Sequence, residues 1–485
     1  MTADTFRFFR EDLCNRCGNC FAACPYLELP QEKAKQEINN LIEQGVSLAL
    51  EVCNTCHTCD AACPNGADPY ELVLERWSVR NKKGLPATAR LVMPSEPCNI
   101  WSSLKAIMPP DELALLGAWD DFSPCEEICL TGFYTSAVPY ILKAKVLEGL
   151  PKLVGSEALF GCAGDIYKTG RFDMVEQIAR RLERLFSEMG IKKVICSMSA
   201  EGMVLSEILP RRFGAKFNFE VEALDVWLLR RLQDEKIALT RDLGMTVTVH
   251  DNCLSKMQEG RLQEVNREII RRTGCRIVEP RHARERALCC GFGAAAARFR
   301  IMDIISSGYR RLKELEDTGA DAAVIYCPAC LFILSLIKEF AGSTMPFYHP
   351  VELVEMAAGG EPLRRHERRA WDMAALISNH LLKYAAFPSY RRPFQPAYIP
   401  PELTSLPDLP AGDRRRTRAL AALYHSLLVQ NKAVRSLVSL AFKRAAAAYD
   451  AKRRRRLGLR DHSVTGTAPD GVVGPVNGTG ESDRV

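Results

Sequence analysis

Hydrophobic residues recur with two different periods along this chain. Met174 to Gly190 and Arg261 to Thr273 space them as helices do. Lys193 to Cys196, Met245 to His250 and Ala322 to Tyr326 are short, β-rich runs, the second of them alternating. Strands alternating with helices predict parallel sheets whose ligands sit in loops leaving the strand ends. Ahead of this region, Gln31 to Glu51 reads as one helix through Ile38, Leu41, Ile42, Leu48 and Leu50. Behind it, Arg364 to Tyr384 is helical, Phe387 to Pro410 is proline-rich, and a long helical pattern starts at Asp413. That last pattern puts Leu420, Leu423, Tyr424, Leu427, Val434, Leu437, Val438 and Ala441 on one face. Residues 65–124 are punctuated by proline, though Trp101 and Trp119 indicate that parts of the stretch pack down. The longest apolar run, Val324 to Ile337, falls short of the roughly twenty residues a bilayer requires.

Composition narrows the class. A chain of 485 residues with 47% hydrophobic positions holds two to four domains with real cores. Its nineteen cysteines are grouped, and Met1 to Glu11 lacks the apolar segment of a signal peptide, so metal ligation in a reducing cytoplasm is expected over disulfides. Charge is uneven. From Arg414 to Arg460 fourteen Lys and Arg face one acid, Asp450, so this segment carries +13 and the rest −7 against +6 overall. A basic amphipathic helix there either docks on its own domain or meets an acidic partner or an anionic membrane face. Nothing else in the chain supports nucleic acid. Residues 463–485 are rich in Gly, Pro, Thr and Asp and are expected to be disordered.

The cysteine spacing carries the chemistry. Cys14, Cys17, Cys20 and Cys24-Pro25 form C-x2-C-x2-C-x3-C-P, and Cys53, Cys56, Cys59 and Cys63-Pro64 repeat it. In such a two-cluster repeat the fourth cysteine of each run ligates the other cluster. Cys14, Cys17, Cys20 and Cys63 are then one set, and Cys53, Cys56, Cys59 and Cys24 the other. Zinc is the plainer use of paired CxxC motifs, but two intact copies of the longer run argue for iron. Haem attachment at Cys53 to His57 would leave Cys59 and Cys63 unexplained. A third group spans His250 to Cys330. Between Cys253 and the vicinal pair Cys289-Cys290 lie 35 residues, and 36 separate Cys290 from Cys327 of Cys327-Pro328-Ala329-Cys330. Gly291 after the pair suits a sharp turn that brings both sulfurs to one metal site. His250 is placed for a hydrogen bond to a ligand or for proton transfer, or else is a satisfied core histidine. Cys98, Cys125, Cys129 and Cys275 read as structural thiols.

This pattern resembles the cysteine-rich CCG domain of heterodisulfide reductases, and residues 1–360 fit the same family. The resemblance implies that Cys253, Cys289, Cys290, Cys327 and Cys330 hold a non-cubane [4Fe-4S] cluster, giving three clusters with the two ferredoxin-type cubanes. Asn252 stands where the family has proline, and Gly291-Phe292-Gly293-Ala294 where it has several glycines; neither change removes a ligand. Residues 128–235 resemble a decayed copy. Phe133, Gly161 and Ser199 replace ligands, whereas Cys162 and Cys196 keep them, with 33 residues between the two.

The fold expected is multi-domain α/β. Residues 1–85 form an α-helical two-cluster ferredoxin module and 86–124 a connection. Two tandem α/β CCG-type repeats follow, degenerate over 125–235 and intact over 236–360, with a basic helical extension over 361–462. By the resemblance, the chain is an iron–sulfur oxidoreductase subunit of the fused type, in which ferredoxin-like and CCG-type parts share one chain. It would pass electrons between the ferredoxin-type clusters and a five-cysteine cluster acting on a disulfide or thiol. The alternative is a non-catalytic relay between a flavoprotein dehydrogenase, of glycolate, lactate or glycerol-3-phosphate type, and quinone. Implied partners are a membrane cytochrome, a flavoprotein or a thiol carrier, and the implied location is the cytoplasm or the inner face of the cell membrane.

Overall fold

Eight short, apolar strands organise the middle of the chain. In the computed structural model, which describes residues 6–155, 161–258, 261–298, 300–397 and 405–459, they form two four-stranded sheets. The first contains β1 (Glu127–Leu130), β2 (Lys152–Val154), β3 (Lys193–Cys196) and β4 (Glu220–Ala223). The second contains β5 (Thr246–His250), β6 (Arg276–Ile277), β7 (Ala322–Ile325) and β8 (Phe347–Tyr348). All pairings are parallel, and the orders β2-β1-β3-β4 and β6-β5-β7-β8 are the same order used twice. Central strands buried on both faces explain the apolar runs: Ala322 to Ile325 is buried throughout, as are Ile128 to Leu130. The helices Phe172–Met189 and Arg261–Arg272 cover the sheets where the helical periods predicted them.

The N-terminal module is held by short helices rather than by a sheet. In both cysteine runs the backbone turns left-handed between the second and third cysteines, at Gly18 (φ +80°) and His57 (φ +58°), starting the helices Asn19–Ala22 and Thr58–Ala61. A Cβ at position 18 would come within 2.6 Å of the Lys35 nitrogen, so glycine is required there. The helix expected over Gln31 to Glu51 ends at Gln44, where Gly45 adopts a left-handed conformation, and a separate turn Ala49–Val52 follows.

Residues 65–124 are more ordered than their prolines imply. They hold the helices Pro69–Asn81, Ile100–Lys105 and Pro110–Ala118 and bury Trp101 and Trp119. The C-terminal pattern also departs from expectation, because the single helix from Asp413 is two. Ala411–Tyr424 runs into a π-helical turn, His425–Val429, and Asn431 caps a new helix, Lys432–Arg456, by accepting the Val434 N–H at 3.1 Å. The predicted apolar face is divided accordingly. Tyr424, Val434 and Val438 pack on the core, while Leu423, Leu427 and Leu437 face outward.

The basic helix docks on the chain itself. Ser439 Oγ donates to the Ala341 carbonyl at 2.6 Å, Tyr449 donates to Asp303 at 2.8 Å, and Arg454 reaches the Tyr26 carbonyl at 3.1 Å and Glu28 at 3.0 Å. Among the described residues no helix is long and apolar enough to cross a membrane. Residues 463–485 lie outside the described residues.

Candidate metal centre

Thirteen of the predicted cysteines gather in three groups, and all are free thiols. The first two groups belong to the ferredoxin-type runs. Burial pushes the Cys20 thiol up, and Cys63, Cys14 and Cys17 add to the shift. Burial and Cys56 push Cys24 up to about 12, and Cys53 in turn is raised by burial, Cys56 and Cys24. Cys63 thus stands near the thiols of the first run, and Cys24 near those of the second.

The third group stands at the carboxyl ends of β5 and β7. Cys253 follows β5 by three residues, and Cys327 caps the helix Pro328–Ala341, with Cys330 in its first turn. Cys289 and Cys290 arrive on a loop that turns at Gly291 (φ +99°), where a Cβ would lie 2.4 Å from the Ile304 carbonyl oxygen. All five cysteines and His250 line one shared cavity. The Cys290 thiol is held well below its ordinary value by hydrogen bonds from Cys289 and Cys330, with His250 adding to them against the cost of burial. Arg311 Nε donates to His250 Nδ1 at 2.9 Å, so the neutral ring carries its proton on Nε2. A ring nitrogen of His250 and the sulfurs of Cys290 and Cys330 lie within 4.8 Å of one another.

Four residues around these groups carry roles that their local sequence does not announce. Tyr26 accepts the Cys289 N–H at 2.7 Å, linking the residue after Cys24-Pro25 to the vicinal pair. Lys168, on the short helix Gly164–Tyr167 and its cap, donates to Cys253 Sγ at 3.4 Å. Burial disfavours the Lys168 charge, but Cys253 and Asp165 outweigh it and its pKa is raised. Met198 and Glu201 are the other two. The remaining cysteines stand elsewhere. Cys98 lies between Asp413 and Lys383, Cys129 is inside β1, Cys275 is beside Thr273, and Cys125 bonds the Glu127 carbonyl.

Strand register corrects the alignment of the first repeat. Leu130 is opposite Cys196, as His250 is opposite Ile325, so Cys196 matches Ile325, a core position inside the strand. Met198 caps the helix Ser199–Met203 with nearly the backbone angles of Cys327. Met198 and Glu201 therefore hold the places of Cys327 and Cys330, rather than Cys196 and Ser199. With Phe133 for Cys253 and Gly161 for Cys289, four of five thiols are replaced, and only Cys162 remains.

Carbon and a carboxylate fill those places. The Phe133 ring stacks on Trp101 at 3.5 Å between centroids, and a Cβ on Gly161 would lie 2.6 Å from that ring. The Glu201 carboxylate accepts the Phe133 N–H at 2.7 Å. Phe133, Gly161, Met198 and Glu201 line the wall of the cavity that carries the five cysteines. The two repeats thus share one cavity, one wall thiol and the other largely apolar.

The 4Fe-4S dicluster domain family matches residues 8–64, and the cysteine-rich CCG domain family matches residues 247–335. The chain joins a 4Fe-4S dicluster domain to a CCG domain. It is similar to a subunit of the dihydromethanophenazine:CoB–CoM heterodisulfide reductase of Methanosarcina barkeri, at 25% identity over 48% of this chain and 58% of the relative. It is also similar to EtfAB:quinone oxidoreductase of Syntrophomonas wolfei, at 23% over 37% of this chain and 25% of the relative. A probable membrane-anchored ferredoxin of Chromohalobacter salexigens is 24% identical over 28% of this chain and 21% of its own length. The chain spans about half the length of the heterodisulfide reductase relatives it matches.

The donor sets fit the 4Fe-4S clusters that these domains indicate. Two sets offer four sulfurs and the third offers five, with a ring nitrogen of His250 beside Cys290 and Cys330. Thiolates are the usual ligands of iron–sulfur clusters, and binding iron releases thiol protons.

Proposed function

We propose that the chain is an iron–sulfur electron-transfer oxidoreductase subunit holding three [4Fe-4S] clusters, two cubanes and one on the five cysteines. The observation that carries this reading is the direct junction between the second ferredoxin-type set and the five-cysteine cavity. Tyr26 bonds Cys289, Thr58 Oγ1 donates to the Glu285 carbonyl at 3.0 Å, and Lys256 bridges Thr58 and the Ala287 carbonyl at 2.8 Å each. Gly293 lies so close to Asn54 that a Cβ there would be 2.1 Å from its carbonyl oxygen. The set of Cys53, Cys56, Cys59 and Cys24 is therefore proximal to the cavity, and that of Cys14, Cys17, Cys20 and Cys63 is the distal, exchange end.

Bound clusters supply one-electron carriers. The chain's residues order them, shield them and leave a cavity through which a reactant reaches the five cysteines. The reaction proposed is RSSR + 2 e⁻ + 2 H⁺ → 2 RSH or its reverse, a two-electron couple. The heterodisulfide reductase relatives support it, and His250, with a ring nitrogen within 4.8 Å of the Cys290 and Cys330 sulfurs, would hold their orientation. A second reading is relay between a flavoprotein and quinone. It is favoured by the likeness to EtfAB:quinone oxidoreductase and by the apolar side of the cavity, formed by Phe133, Met198, Val204, Leu254 and Phe292. On the basic extension, Leu437 and Leu440 are exposed beside Lys432, Lys443 and Arg444, which supports contact with an acidic redox partner or an anionic membrane face.

Anaerobic purification tests the core of the proposal, since three four-iron clusters give about twelve irons per chain. The dithionite-reduced protein is then offered a disulfide or a quinone under argon. Reoxidation by disulfide with two thiols released per disulfide supports the first reading, and reoxidation by quinone alone supports the second. Stoichiometric zinc without iron would overturn both.

A further inference from the structure

The degenerate repeat lost its thiols but placed a cation against its neighbour's. Lys168 follows the helix Gly164–Tyr167 of the first repeat, and its ammonium stands 3.4 Å from the sulfur of Cys253 in the second. Among the described residues lining the shared cavity it is the one Lys or Arg. Three groups face it besides Cys253. Asp165 is on the same turn, and its carboxylate also takes the Tyr134 hydroxyl. Cys289 lies across the cavity, and His57 of the second ferredoxin run lies behind. The ammonium thus sits against the five-cysteine group, in a cavity whose other charged walls are carboxylates and thiols.

A cluster held by five thiolates gains negative charge on reduction. A fixed positive charge at one ligand sulfur, in partly buried surroundings of low dielectric, favours the reduced form and raises the reduction potential. We infer that Lys168 is a positioning residue that sets the potential of the five-cysteine centre, so that the first repeat serves as the electrostatic wall of the second repeat's site. This rests on the proposal that the five cysteines hold an iron–sulfur cluster, but not on which substrate the centre meets. Its prerequisite is geometric: Cys253 and Lys168 must remain in contact, which the turn at Ala163 (φ +64°) and the packing of Ile166 and Tyr167 in the core provide.

The test is a potentiometric titration of the anaerobic full-length protein, followed by electron paramagnetic resonance, with no disulfide or quinone present. Lys168→Met keeps the length of the side chain without the charge. At a fixed potential its ratio of reduced to oxidised five-cysteine centre should fall about tenfold, a downward shift of about 59 mV for a one-electron couple. The signal of the distal ferredoxin-type centre should stay in place. Lys168→Arg should recover most of the shift. If Lys168→Met loses iron, Lys168→Gln carries the test, because it retains a donor to Cys253 without the charge and must also titrate lower. An unchanged potential in a neutral variant with full iron content overturns the inference, as does Arg failing to restore it. Absence of the third cluster from the unaltered protein would instead overturn the cluster assignment itself.

Discussion

Three residues beyond the end of β5 stands Cys253, and three beyond the end of β1 stands Phe133. The two repeats share strand order, register and helix caps, yet one lines the common cavity with sulfur and the other with a phenyl ring, a thioether and a carboxylate. The ligands of such a site are loop residues at strand ends, while stability comes from strands and helices buried behind them. Thiols can be replaced there without dismantling the sheet, provided the space is refilled. Phe133 against Trp101 refills it, and Glu201 satisfies the loop's N–H. The first repeat has the same shape without the thiols, and it carries Lys168.

The sharpest way to break this comparison is to remove one thiol from each side. Cys290→Ala should lower bound iron from about twelve to about eight per chain. Cys162→Ala should leave it unchanged and cost about 1–3 kcal/mol of packing. Iron analysis with chemical denaturation reads both, and iron loss from the Cys162 variant would mean that the first repeat holds metal.

The converse experiment rebuilds the lost site. Phe133→Cys, Gly161→Cys, Met198→Cys and Glu201→Cys together should raise iron toward about sixteen after reconstitution, since the clash at Gly161 disappears with the phenyl ring. A set using Ser199→Cys instead of Glu201→Cys should gain none, because that position is not the equivalent of Cys330. Equal uptake by both sets would undo the register argument.

A smaller effect separates the contacts each repeat makes with the ferredoxin module. Tyr26→Phe leaves the buried Cys289 N–H without its acceptor, costing about 1–3 kcal/mol. It should also slow electron exchange between the proximal and five-cysteine centres in stopped-flow traces. Glu71 meets the first repeat through the Tyr167 hydroxyl and through Arg212 at 3.0 Å. Glu71→Gln should lower stability while leaving that rate alone. Equal slowing in both variants would show that the two contacts do not differ in electron transfer.

The mildest test is pH. Burial depresses His349, beside β8 in the second repeat, from 6.5 to about 4. Its contribution is complete above pH 6.5 and is lost as pH falls toward 4, so about 1.4 kcal/mol is gone at pH 5.5. Residues 125–235 contain no histidine, and there burial raises Asp225 from 3.8 to about 6, which acts in the opposite direction. Lowering pH from 7 to 5.5 should therefore speed hydrogen exchange in β5 and β7 relative to β1 and β3. Uniform protection across both sheets would count against this assignment.

Much of the molecule was legible in the chain. The ferredoxin runs declare a 4Fe-4S dicluster domain by spacing, because a cluster demands a fixed number of thiolates on tight loops. Strands such as Lys193–Cys196 announce themselves by apolar, β-branched content. Two things were not legible. Cys196-Ser197-Met198-Ser199 imitates a decayed CxxC by letter, but cysteine is also an ordinary buried residue, and only pairing with β1 revealed that Cys196 belongs to the core. Lys168, Tyr26 and Glu201 stand in local sequence that says nothing of Cys253, Cys289 or Phe133. Their partners are between 68 and 263 positions away along the chain, so only the folding of both repeats and the ferredoxin module around one cavity brings them into contact. Local spacing determined which thiols could form a metal site; long-range packing decided which half of the molecule lines the cavity with them and what charge stands beside them.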